Sequence, residues 1–106
     1  MIDARQIQEI LTQYKKHGWS LSRVLLSASS RETLSASLKN LFGDTEIVIS
    51  DADAAWFFRA AGSDREAWEL RRLSGTPFAL IEIFDADDDD DIREETRQEM
   101  QTQLKK

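Results

Sequence analysis

Carboxylates dominate the residues able to do chemistry. Asp85-Ala86-Asp87-Asp88-Asp89-Asp90-Asp91 places six aspartates in seven positions. Hard divalent cations take several carboxylate oxygens, which makes Asp87, Asp89 and Asp91 candidate ligands. The spacing departs from that of a helix–loop–helix calcium site. Counted from Asp85, the sixth position needs glycine and holds Asp90, and the twelfth needs glutamate and holds Thr96. The run also suits a role without a ligand, since aspartate caps helix N-termini and its charge complements the helix dipole there. The expectation is an acidic loop, residues 85–91, leading into a helix.

A second set of carboxylates is spread along the chain. Asp53 followed by Glu69-Leu70-Arg71 resembles the PD-(D/E)xK arrangement of metal-dependent nucleases, in which an acid on one strand works with an acid two positions before a lysine on the next. Arg71 stands where that lysine would be, and a guanidinium neither gives up its proton readily nor acts as a compact point charge. The resemblance implies a metal-dependent hydrolase or nuclease-like site built from Asp53, Glu69 and Glu82, which requires the three to converge on one magnesium or manganese ion. A plainer reading of Glu82, set in the apolar run Ala79–Phe84, is a cross-strand ion pair with Arg71 or Arg72.

Other catalytic signatures are missing. The chain has no cysteine and one histidine, His17, with no Ser/Asp arrangement around it, and no glycine-rich phosphate loop. No cofactor is expected. Aromatic and arginine residues share predicted strands instead: Trp56, Phe58, Arg59, Trp68 and Arg71. These residue types are enriched at interface hot spots, so the leading expectation is a non-catalytic protein-interaction or regulatory module, as a homodimer or an adaptor.

Charge bears on nucleic acid as a partner. The net charge is −6. Residues 1–42 carry six basic and three acidic groups, and residues 43–106 carry eight basic and seventeen acidic groups. An acidic chain repels phosphate backbones, which leaves Arg5, Lys15, Lys16, Arg23, Arg31 and Lys39 as the only basis for a nucleic-acid surface. No apolar run has the length of a membrane span, and the absence of cysteine leads to a cytoplasmic expectation.

These side chains need elements to hold them. Ile7, Ile10, Leu11 and Tyr14 form one stripe of a helix over residues 4–17, with Asp3 and Gln6 as a capping box and Gly18 as the stop. Val24-Leu25-Leu26 reads as a strand buried on both faces. Ser29 and Glu32 cap a second helix, residues 30–42, ended by Gly43. Four strands follow, near residues 46–50, 54–60, 67–73 and 78–84, and then a sparsely apolar helix, residues 92–105, expected to pack weakly or protrude. The 106 residues are expected to form a single α+β domain. Its architecture is a two-layer sandwich, a mixed and mainly antiparallel sheet of about five strands with two helices on one face plus the C-terminal helix.

Overall fold

The computed structural model describes residues 2–104 and shows the α+β fold. Helix α1 spans Ala4–Lys16. The side chain of Asp3 caps it by accepting from the Arg5 N–H at 2.9 Å. At the other end Trp19 N–H donates to Tyr14 O and Gly18 N–H to Lys15 O, a closed C-terminal motif that needs the positive φ of Gly18, +86°.

Strand β1 spans Ser20–Leu26 and is followed by two short helices, α2 (Ala28–Thr33) and α3 (Leu38–Phe42). One helix was expected over residues 30–42, capped by Ser29 and Glu32. The cap is instead Ser27, whose hydroxyl accepts from Ser30 N–H at 3.2 Å. The break falls at Leu34–Ser37, where Ser35 N–H and Ser37 N–H each reach back only three residues. Ser35 and Ser37 are weak helix formers whose hydroxyls compete for backbone groups.

Strands β2 (Glu46–Ile49), β3 (Ala54–Ala60), β4 (Arg65–Arg72) and β5 (Ala79–Asp85) complete one sheet in the order β2-β1-β3-β4-β5. The β1–β2 pair is parallel, joined through α2 and α3, and the other three pairs are antiparallel. A register shift between Leu21 and Arg23 lets Leu21 and Val24 both face α1, which strict alternation would forbid.

The centre of the sheet is buried on both faces. On one, Ile7 of α1 with Leu34 and Phe42 packs over Val24, Leu26, Ala55, Phe57 and Leu73. On the other, Leu25, Ala54, Trp56 and Leu70 lie under Met100 and Leu104 of α4 (Asp90–Leu104). The expected protrusion of this last helix is thus corrected: the buried Met100 and Leu104 and the bond from Trp56 Nε1 to Gln101 Oε1, 3.1 Å, hold it against the second face. Lys105, the expected end of the helix, lies outside the described residues. No helix among the described residues is long and apolar enough to cross a membrane.

Leu104→Ala removes a side chain that is 1% exposed at the last described turn. It is expected to cost about 2–5 kcal/mol in urea unfolding. A helix that only projected would show almost no change.

Candidate functional site

The carboxylates singled out for chemistry are separated by the sheet. Asp53, just before β3, accepts from Ser27 N–H at 2.9 Å, Ser30 Oγ at 2.8 Å and Ser74 Oγ at 3.0 Å. It ties the start of α2 to the loop after β4, with one donor on Oδ1 and two on Oδ2. Glu69 lies on the α1 face opposite Phe57 and accepts from the Tyr14 hydroxyl. Glu82 lies on the α4 face opposite Trp68 and is exposed. Glu69 and Glu82 therefore point to opposite sides of one sheet, so the three-carboxylate centre does not assemble. The expected Glu82–Arg71 pair is excluded by the same alternation, since Arg71 lies opposite Ala79 on the α1 face. Arg72 shares the face of Glu82, but its guanidinium donates to Leu104 O at 2.6 Å.

The aspartate run serves local structure. Asp89 Oδ1 accepts from Ile92 N–H at 3.0 Å and caps α4, and Asp90 and Asp91 occupy the first turn at the positive end of the dipole. Asp88 Oδ2 accepts from Asp85 N–H at 2.8 Å. Among the described residues no group of three or more His, Cys, Asp or Glu is placed to hold a metal ion, Asp87, Asp89 and Asp91 included. The basic residues are dispersed as well. Arg23 is paired with Glu46 at 2.9 Å on the α4 side of β1, across the sheet from the helices carrying Arg5, Lys15, Lys16, Arg31 and Lys39. His17 caps α1, and its carbonyl accepts from Arg59 Nη1 at 2.9 Å.

The expected aromatic–arginine platform is divided in the same way. Trp56, Phe58 and Trp68 face α4, whereas Arg59 and Arg71 face α1. Trp56 is 1% exposed and belongs to the core. Trp68 stacks on Phe58 with ring centroids 5.2 Å apart and lies under the Arg97 guanidinium at 5.3 Å. Arg59 covers Trp19. Burial of the sheet on both faces consumes these aromatics, a demand that residue types alone do not reveal.

Both edge strands leave apolar side chains in the open: Ile49 of the short β2 is 51% exposed, and the longer open surface is β5. Its α4 face is covered in part: Phe84 is buried beneath the Arg93 guanidinium and Leu80 packs at the edge of the second core, while Glu82 between them is exposed. Its α1 face has no roof, because the first core draws on β1, β2, β3 and Leu73 but on no β5 residue. Ile81 is 57% exposed and Ile83 46%. Phe78, just before the strand, is 41% exposed beside Arg72. The backbone edge is open too. Arg72 N–H donates to Phe78 O and Ala86 N–H to Asp64 O, which fixes the even-numbered residues of β5 as those bonded to β4. Alternation then turns the N–H and C=O groups of Ala79, Ile81 and Ile83 outward. The alternation of Ile81 and Ile83 was legible in the sequence; the missing roof was not.

Gln6, Glu9, Ile10 and Gln13 line the helical wall of a shallow groove with Arg71 of β4 opposite, and Glu69 lies on the same face of β4. Tyr14 stacks on Phe57 at 4.0 Å. Burial holds the Tyr14 hydroxyl well above the usual tyrosine range. The hydrogen bond to Glu69 and the charge of that carboxylate push the same way, against a smaller opposing effect of Arg71. This arrangement braces α1 on the sheet. No family model matches the chain, and neither a curated protein nor a solved structure matches it.

Two expectations test this division between structural and open groups. Asp53→Ala leaves three donors without their acceptor and is expected to lower stability by about 1.5–3 kcal/mol in denaturant unfolding. Tyr14 is the sole tyrosine, so alkaline difference absorbance reads it alone. Its ionisation is expected above that of free tyrosine. The stability it contributes is full below about pH 10 and is lost as pH rises through its folded-state value. Titration at the free-tyrosine position would contradict the buried bond to Glu69.

Proposed function

We propose that this chain is a non-catalytic protein-interaction module that binds an extended segment of a partner at the open edge of β5. One observation carries the reading: outward N–H and C=O groups at Ala79, Ile81 and Ile83 coincide with the exposed side chains of Ile81 and Ile83. Strand addition uses this combination, with main-chain hydrogen bonds supplying affinity and alternate side chains supplying selectivity. The edge is also long enough to select. β5 has seven residues, whereas the other sheet edge, β2, has four.

An open apolar edge is an aggregation hazard that proteins commonly restrain with flanking charge and proline. Here Pro77 precedes β5 and the run Asp87–Asp91 follows it. Keeping such an edge exposed between two restraints supports a use for it. The dispersal of Asp53, Glu69 and Glu82 supports a role without catalysis. A cysteine-free chain gains nothing from an oxidising compartment, which supports a cytoplasmic setting.

Selection of random eight-residue segments displayed on phage tests the reading. Enriched segments are expected to alternate apolar and polar residues and to lack a central proline. Ile81→Pro removes an outward N–H that the sheet does not use, so the fold tolerates it at an edge strand. It is expected to weaken the selected segments by tenfold or more, about the worth of one or two lost hydrogen bonds with their apolar contact. No enrichment, or binding indifferent to Ile81→Pro, contradicts the proposal.

A further inference from the structure

Resting on the strand-addition reading, we infer that the segment accepted by β5 is cationic: an extended stretch of a partner protein with β-branched residues on one face and lysine or arginine on the other. The side chains of a strand added to β5 would alternate between the two faces of the extended sheet. On the α1 face they would meet Ile81 and Ile83, where β-branched residues pack best. On the α4 face they would meet Glu82, exposed and without an ion pair among the described residues. Beyond the end of the strand lie Asp87–Asp91. Two of these carboxylates are held by backbone N–H groups, Asp88 and Asp89, and none is neutralised by a salt bridge among the described residues. Of the arginines nearby, Arg65 is engaged with Asp85 at 3.0 Å, Arg93 with Glu66 at 2.8 Å and Arg97 with Glu94 at 2.9 Å, whereas Arg71, opposite Ala79, and Arg72, over Phe78, flank the start of the strand. The field is therefore negative from Glu82 to the end of the open edge and beyond it.

The same charges argue against a second copy as the occupant. An antiparallel pair of β5 strands using the outward groups of Ile81 and Ile83 places Glu82 either directly opposite its counterpart or diagonal to it, whichever register is chosen. Each copy also brings a net charge of −6. A cationic strand turns the same positions into attractions and raises the encounter rate through the acidic field.

The test uses the full chain labelled with nitrogen-15 and four capped heptapeptides. KVKIKVK is the probe, EVEIEVE reverses its charge, SVSISVS removes the charge, and KVKPKVK interrupts its backbone. Amide shifts localised to residues 79–84 are expected with KVKIKVK. SVSISVS is expected to bind about tenfold more weakly, the combined worth of the cross-strand pair with Glu82 and of the acidic field of Asp87–Asp91, and EVEIEVE more weakly still. Glu82→Lys, at an exposed position, is expected to reverse the order of the two charged peptides.

Equal binding of SVSISVS and KVKIKVK at residues 79–84 would overturn the cationic preference and leave strand addition standing. If none of the four moves these amides, or if KVKPKVK binds as well as KVKIKVK, strand addition itself is overturned. Concentration-dependent dimerisation abolished by Ile81→Pro would replace the cationic partner with a second copy.

Discussion

Burial of β3 on both sides is the constraint from which the rest of the molecule follows. Trp56 and Phe57 are neighbours in the chain, each 1% exposed, and point to opposite faces of the sheet. Neither side chain can be left in water without forfeiting about 1.5–3 kcal/mol of burial. Both faces at the centre must therefore be roofed. α1, with α2 and α3, does this on the Phe57 side, and α4 does it on the Trp56 side. With only Met100 and Leu104 buried, α4 is held less by its own apolar surface than by the need of Trp56 for cover and for a partner to its indole N–H.

The roof is narrower than the sheet, and the longer shortfall falls at β5; at the other edge only the four-residue β2, with Ile49 exposed, is left short. α1 carries its apolar stripe over β1 and β3, and the Tyr14–Glu69 bond marks how far it reaches across β4. β5 lies beyond that limit on the α1 face, while on its other face Phe84 is buried and Leu80 packs against the second core. The result is a strand secured on one side and along β4, yet open on the other side and along its outer edge. Function at this place asks for no new side chain; it uses backbone groups that the sheet leaves over. The carboxylates that look chemical in the sequence are drawn into holding this frame, Asp53 between two loops and Asp89 at the start of α4.

Much of the fold was legible in the sequence because it depends on local signals. The stripe Ile7, Ile10, Leu11, Tyr14 gave α1, Gly18 its stop, and the run Val24-Leu25-Leu26 an interior strand. The alternation of Phe78–Phe84 separated Ile81 and Ile83 from Leu80 and Phe84 correctly. What failed to show depends on contacts between distant segments. The break at Leu34–Ser37 reflects the weak helix formers Ser35 and Ser37 together with the demand that Leu34 and Phe42 both reach the core. The seat of α4 depends on Trp56, far away in the chain. The proposed site was the least legible, because exposure of an edge strand is a property of what fails to cover it, and no residue type encodes that.

Amide hydrogen exchange of the free protein, read residue by residue along β5, tests the central claim most directly. Leu80, Glu82 and Phe84 point their N–H groups into the ladder with β4, so these amides are expected to exchange slowly. Ile81 and Ile83 are expected to exchange close to the rate of an unstructured chain. Uniform protection along the strand, or the opposite alternation, would contradict an open edge at β5.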